Sequence, residues 1–337
     1  MKSRKVVVTG AAGFIGSHLT DALLARGHRV IGIDNLSHGL VSNLEGASRN
    51  PGFSFHNLDV CDLEAFRKIS EGADVIAHLA AYKIPRYGKA EDTLLINAKG
   101  GQNALEVASA FGAKFILAST SDVYGKNPSI PFSETSDSVI GSSTVPRWGY
   151  AVSKLFDEHL ALAYAESRKI PVTIIRIFGS YGPRQALSWW GGPQSVFIDQ
   201  ILNEETITIH GDGQQTRSFT YVADTVSGFV AAVEQDDVNR EIFNIGNTKE
   251  ISIVELARLI HRLMEAKNPL KMEFVPYDEI SKGRKYEDVR RRIPDVSKAM
   301  QRLGFSAKTG LEEGLKITIA WQKAVRAGQR DLAVAES

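Results

Sequence analysis

The sequence predicts an α/β protein, a Rossmann-type doubly wound parallel sheet with a smaller mixed α/β C-terminal lobe. Three observations predict it. Short runs rich in Val and Ile alternate with longer stretches of helical period, a glycine run stands between the first strand and the first helix, and the alternation gives way after Phe178 to turn-rich text. At 337 residues with 43% hydrophobic content, the chain can bury a large first domain and still build a second lobe.

The elements follow in order. A strand at 5–9, a helix at 14–26 and a strand at 29–34 form a βαβ opening. Strands are expected near 53–58, 74–78 and 113–119, with a helix over about 93–111 between the last two. A helix over about 149–168 leads into a strand at 172–178. Buried parallel strands need helices on both faces, which this alternation supplies. Tyr181-Gly182-Pro183-Arg184 and Trp190-Gly191-Gly192-Pro193 then mark turns. Helical patterns at about 223–233, 253–264 and 310–326 follow, separated by Gly246-Asn247 and by the charged stretch 282–292. The first domain is therefore placed at 1–178, completed by about 220–247, and the second lobe at 179–219 and 248–328. Residues after 328 are expected to fray.

Forty Lys and Arg against 39 Asp and Glu leave a formal charge of +1, which is not the basic footprint of a nucleic-acid binder or of a membrane-surface helix. Cys61 is the only cysteine, so no intrachain disulfide forms and a reducing cytoplasmic setting is expected. The eight histidines show no HExxH spacing, and no metal site is expected. Met1 to Lys5 run into the first strand without an apolar leader, and no run approaches the ~18 apolar residues that span a bilayer.

Gly10, Gly13 and Gly16 follow the first strand at the head of the first helix. Glycines there let the backbone turn tightly and approach a pyrophosphate, whose charge the helix N-terminus favours. The second strand ends at Asp34, placed to hydrogen-bond the adenosine ribose hydroxyls and to repel a 2′-phosphate, so NAD is expected rather than NADP. Phe14 and Ile15 within the glycine run, Asn35, Asp59 and Val60 after the next strands, and Leu79, Ala80 and Ala81 at the fourth strand's exit complete the expected cofactor contacts, with Asn97 on the following helix. Asp59 either reaches the adenine amino group or is a solvated acid beside a turn. Lys83 either meets the nicotinamide ribose or pyrophosphate or is a solvated lysine.

The fifth strand ends in Ser119-Thr120-Ser121-Asp122, at the end of a parallel sheet where the cofactor crevice lies. Tyr150 and Lys154 stand four apart on one helix and share a face. An ammonium beside a phenol lowers its pKa, which makes Tyr150 a base for a sugar hydroxyl while hydride leaves for nicotinamide. Thr120 is placed to hydrogen-bond the same oxygen.

Gly10-Ala11-Ala12-Gly13-Phe14-Ile15-Gly16, His78-Leu79-Ala80-Ala81, Ser119-Thr120-Ser121-Asp122-Val123-Tyr124-Gly125 and Tyr150-Ala151-Val152-Ser153-Lys154 occur in this order. The chain thereby resembles the extended short-chain dehydrogenase/reductase family, in its nucleotide-sugar epimerase/dehydratase branch, from about residue 5 to 322. The resemblance implies transient oxidation at sugar C4 by tightly held NAD, then epimerisation, decarboxylation or dehydration, and return of the hydride. It implies Thr120, Tyr150 and Lys154 as hydroxyl, base and lysine, with Ser121 and Asp122 beside them. Arg217 and Arg292 fall on its two diphosphate arginines, a UDP-linked sugar is the implied substrate, and a homodimer through paired helices, one carrying Tyr150, is the implied assembly.

Gly179 departs from the family's usual Asn, so a contact to the nucleotide sugar is expected to be missing there. Trp189 and Trp190, in the unusual segment 185–194, either cover the sugar or base or simply pack. Asp122 stands where 4-epimerases often carry a small or neutral residue and hexuronate decarboxylases and 4,6-dehydratases usually a Glu. Pro146-Arg147-Trp148-Gly149-Tyr150 and the region from Asp288 to Arg292 look similar to bacterial UDP-glucuronate decarboxylases, whereas Lys83 matches epimerases better. With Ser121 in place, the dehydratase's consecutive Asp and Glu are absent. The expected reaction is 4-epimerisation of a UDP-hexose or UDP-hexuronate, with UDP-glucuronate decarboxylation and 4,6-dehydration as alternatives. A non-catalytic NAD-binding sensor or scaffold is the reading from another class; such a protein would be free to lose Tyr150 or Lys154, and this chain has both.

Overall fold

A computed structural model describes residues 2–83, 89–281 and 283–328, so the expected fraying beyond 328, and Lys282 of the charged stretch, lie outside the described residues. The first half runs β1 (Lys5–Thr9), α1 (Phe14–Ala25), β2 (Arg29–Asp34), α2 (Glu45–Ser48), β3 (Phe53–Asn57), α3 (Leu63–Ile69), β4 (Val75–His78), α4 (Ala90–Phe111), β5 (Lys114–Thr120), α5 (Trp148–Ser167) and β6 (Val172–Ile177). The second half runs β7 (Ser180–Tyr181), α6 (Pro193–Leu202), β8 (Ile207–His210), β9 (Thr216–Ser218), β10 (Thr220–Tyr221), α7 (Val222–Glu234), β11 (Glu241–Ile245), β12 (Glu250–Ser252), α8 (Ile253–Leu263), β13 (Met272–Val275), α9 (Tyr277–Ile280), β14 (Arg291–Arg292), α10 (Ser297–Leu303) and α11 (Leu311–Arg326).

Seven parallel strands form the main sheet in the order β11-β6-β5-β4-β1-β2-β3. Val6, Val7 and Val8 are all fully buried because the sheet is covered on both faces. Val6 and Val8 pack with Leu19 and Leu23 of α1 and Phe229 of α7, while Val7 packs on the other side with Leu105 of α4 and Ala161 of α5. Chain direction across the sheet reverses between β1 and β4, and a crevice opens at their carboxyl ends. Smaller sheets, β12-β9-β14 and β13-β8, lie in the second half of the chain. Among the described residues, no helix is long and apolar enough to cross a membrane.

Some elements differ from the expectation. α3 is a seven-residue helix capped by Asp62, whose side chain accepts the Ala65 N–H at 3.1 Å. α6, which no helical pattern marks, starts at the last residue of the Trp190-Gly191-Gly192-Pro193 turn text, because Pro193 stands at its first turn, where a missing N–H costs nothing. β11 returns to the main sheet as its edge strand beside β6.

One buried ion pair ties α5 to β6. Arg176 donates to both Glu158 oxygens, at 2.6 Å from Nη2 to Oε2 and 3.0 Å from Nε to Oε1, with Ser119 of β5 donating to the same carboxylate. Glu158→Ala leaves the guanidinium buried without its anion and is expected to cost roughly 3–5 kcal/mol. The denaturant midpoint should fall accordingly, and an unchanged midpoint would contradict this assignment.

Candidate active site

The chain leaves β1 through Gly10, at φ +72°, and the Gly10 and Ala11 N–H groups both donate to the Ile33 carbonyl, at 2.8 and 3.2 Å. A Cβ on Gly16 would stand 2.0 Å from the Gly10 oxygen, and one on Gly10 would stand 2.9 Å from the Ala80 nitrogen. The turn therefore brings bare backbone to the start of α1, whose first turn carries no acidic side chain. Asp34 is held rigidly, its oxygens accepting the Ala12 and Leu36 N–H groups at 3.0 and 2.8 Å. Burial raises its pKa against those two bonds. A cavity of about 700 Å³ opens in front, walled by Asp34, Asn35, Asp59, Val60, Leu79 and Lys83 among others. Asp59 accepts from the Cys61 N–H and the Asn35 amide, at 2.8 and 3.1 Å, so Asn35 bridges the ends of β2 and β3.

Thr9, which no sequence signal singled out, holds the fourth strand's exit. Its hydroxyl accepts the Leu79 and Ala80 N–H groups, both at 3.1 Å, and lies 2.9 Å from His78 Nδ1. Burial, reinforced by Lys154, pushes His78 down to about 3, so the imidazole stays neutral.

Asn97 does not wall the cavity. It is buried, accepting the Tyr82 N–H at 2.7 Å and donating to the Ser153 hydroxyl at 3.0 Å, so it braces the β4 exit against α5. Ala80 does line it, while Gly13, Phe14, Ala81 and Lys83 are shared with a second cavity of about 530 Å³. Ile15 and Gly16 line only the second.

That second cavity gathers Thr120, Ser121 and Asp122 from the end of β5, Tyr150 from the first turn of α5, and Arg217 and Arg292. The two arginines meet because β14 pairs in parallel with β9, with Arg292 opposite Arg217. Charges alternate across the site. Arg292 and Arg147 bind Asp122, and Asp288 takes Arg147 and Arg217, each at 3.0 Å, and the Tyr277 hydroxyl at 2.8 Å. Burial works to raise Asp122, but Arg292, Arg147 and Arg217 outweigh it and hold the carboxyl below the usual range. Burial, with Arg292 and Arg147 nearby, pulls Arg217 down to about 10, which leaves it charged at neutral pH. Arg147 and Asp288 are the components not expected as site residues, although both lie in segments marked by the resemblance.

Lys154 departs from the expectation. Its ammonium donates to Asp157 Oδ2 at 2.9 Å, one turn further along α5, with side-chain exposures of 1% and 2%. Tyr150 is not lowered: burial and the Asp122 and Asp157 carboxylates push its phenol above the ordinary value, against Arg292. Gly179 has a structural reason. At φ +45°, a Cβ there would stand 2.2 Å from the Ser218 oxygen, so the position meets the cavity with backbone alone.

A dinucleotide cradle beside a cavity holding a hydroxyl, a phenol and an arginine pair defines a nucleotide-dependent enzyme of small-molecule alcohol chemistry. The family model for GDP-mannose 4,6 dehydratase matches residues 7–318. The chain belongs to that family, in the nucleotide-sugar epimerase/dehydratase branch of the extended short-chain dehydrogenases/reductases. It is 38% identical to a UDP-N-acetyl-alpha-D-glucosaminuronate decarboxylase of Bacillus cytotoxicus, over 94% of this chain and 97% of that protein. It is 37% identical to UDP-glucuronic acid decarboxylase 4 of Arabidopsis thaliana, over 94% of this chain and 68% of that protein. Among solved structures, the Bacillus cereus UDP-glucuronic acid 4-epimerase with UDP-glucuronic acid and NAD superimposes with a TM-score of 0.84 at 33% identity, over 95% of this chain and 99% of that one. The Thermotoga maritima UDP-glucose 4-epimerase with UDP-glucose gives 0.84 at 31% identity, over 96% and 99%.

Proposed function

We propose that the chain is an NAD-dependent 4-epimerase of a UDP-linked hexose or hexuronate, acting through transient oxidation at C4. The observation that carries this reading is that the two cavities share lining residues, Gly10, Gly13 and Lys83 among them, with Asp34 in one and Thr120, Tyr150, Arg217 and Arg292 in the other. Gly10, Gly13, Gly16 and Asp34 fit the cofactor, since the turn leaves space only where side chains are absent. Bound NAD supplies the hydride acceptor.

Tyr150 takes the proton of the C4 hydroxyl, and Thr120 hydrogen-bonds the same oxygen. Because burial and two carboxylates raise the phenol, its deprotonation depends on nearby cations, and Arg292 is the one that already favours it. Arg217 and Arg292, paired across neighbouring strands, receive the diphosphate as two guanidinium forks. The substrate lobe is assigned to 179–219 and 248–328 and the cofactor domain to 1–178 with 220–247. A homodimer, placed in the cytoplasm, completes the reading; the exposed apolar residues Leu95 and Ile96 on α4 and Val152 and Phe156 on α5 support the dimer.

Decarboxylation of a UDP-hexuronate is the second reading, favoured by the names of the sequence relatives and by Asp122. A ketone at C4 makes the C6 carboxylate a β-keto acid, which loses carbon dioxide without a special acid. Weighing the products from UDP-glucose and UDP-glucuronate separates the two. Unchanged mass with a new chromatographic peak supports epimerisation, loss of carbon dioxide supports decarboxylation, and no product from either donor contradicts both.

A further inference from the structure

We propose that Trp190 is a cofactor-holding residue that, with His38 and Tyr82, closes the cleft over the middle of the bound dinucleotide. The inference rests on the reading of the cleft as an NAD site. Trp190, like Gly13 and Lys83, lines both cavities. A dinucleotide with its adenosine at Asp34 and its nicotinamide within reach of Tyr150 has to cross that shared boundary, so its pyrophosphate passes beneath Trp190.

The ring is held from the opposite wall. Its centroid lies 4.4 Å from that of His38, in the segment after β2, and 6.1 Å from that of Tyr82, after β4, in an edge-on contact. Lys83 Nζ donates to the Trp190 carbonyl at 3.4 Å, which places an ammonium at the same boundary. Trp190 itself comes from the far side, on the segment between β7 and α6. The contact therefore spans the cleft from one wall to the other.

The segment is built to present that ring. A Cβ on Gly191 would stand 2.0 Å from the Ala186 oxygen, so the loop closes tightly on itself, and Gln185 Nε2 donates to the Ser180 carbonyl at 3.1 Å. The adjacent Trp189 turns the other way, stacking on His210 at 3.8 Å with an edge contact to Phe197. One tryptophan anchors the loop in the lobe and the other reaches across the cofactor groove. An aromatic ring over the groove adds contact area that must be broken before the dinucleotide leaves, so its effect falls on the dissociation rate.

The test is the release of a fluorescent etheno-NAD from loaded protein into excess unlabelled NAD. Trp190→Ala is expected to release it about tenfold faster than the wild type, Trp190→Phe at close to the wild-type rate. His38→Ala, on an exposed position of the opposite wall, is expected to speed release in the same direction and guards against misfolding of the tryptophan variant. Equal release rates from wild type, Trp190→Ala and His38→Ala would overturn the clamp while leaving the NAD site intact. A wild-type protein that binds no etheno-NAD would overturn the cofactor reading on which it rests.

Discussion

Tyr150→Phe is expected to lower turnover by roughly a hundred- to ten-thousandfold while NAD and nucleotide binding persist. The substitution keeps the ring and removes only the oxygen that takes the substrate proton. The surrounding charges stay in place, since Asp122 is held by Arg292 and Arg147, and Lys154 by Asp157. A group used only in the chemical step should lower kcat and kcat/KM together. Steady-state kinetics alongside calorimetric titration with NAD and UDP distinguish this from a loss of binding. Retained turnover would remove Tyr150 from the role of base.

Gly16→Ala is expected to be the most damaging single-methyl change at the cofactor cradle. Its Cβ would lie 2.0 Å from the Gly10 oxygen and 2.8 Å from the Gly10 carbonyl carbon, and both are backbone atoms of the turn itself. No rotamer relieves the collision, so the turn and the head of α1 must separate. Overpacking of this kind costs about 1–3 kcal/mol, which, if it falls on cofactor affinity, is about a 5- to 150-fold weakening. Gly310→Ala is the matched control, because φ there is −65° and nothing lies within 4 Å of its added methyl. NAD titration should separate the two variants, and equal affinities would contradict the geometry of the turn.

Much of this was legible in the sequence, for physical reasons. Strands buried on both faces read as unbroken apolar runs, so β1, β2, β5 and β6 could be placed to within a residue or so. The glycine turn and Asp34 are local, and Tyr150 lies one helical turn from Lys154. The short strands β9, β13 and β14, of two to four residues and without an unbroken buried apolar run, carry too little periodicity to be read. The adjacency of Arg217 and Arg292 is set by that unread pairing of β14 with β9. Lys154 and Asn97 show a different limit. Residue type and spacing mark them, but whether they face the cavity depends on Asp157, Tyr82 and Ser153, partners that only packing brings into reach.

In the proposed reaction, hydride leaves C4 of the sugar and returns to the same molecule. This is tested most directly with whichever UDP-sugar gives product, prepared with deuterium at C4 and incubated with enzyme and substoichiometric NAD. Mass spectrometry and proton NMR then locate the label. The expected product retains deuterium at C4, with turnover exceeding the NAD supplied. A product that has lost the label, or turnover that stops when the NAD is consumed, would contradict it.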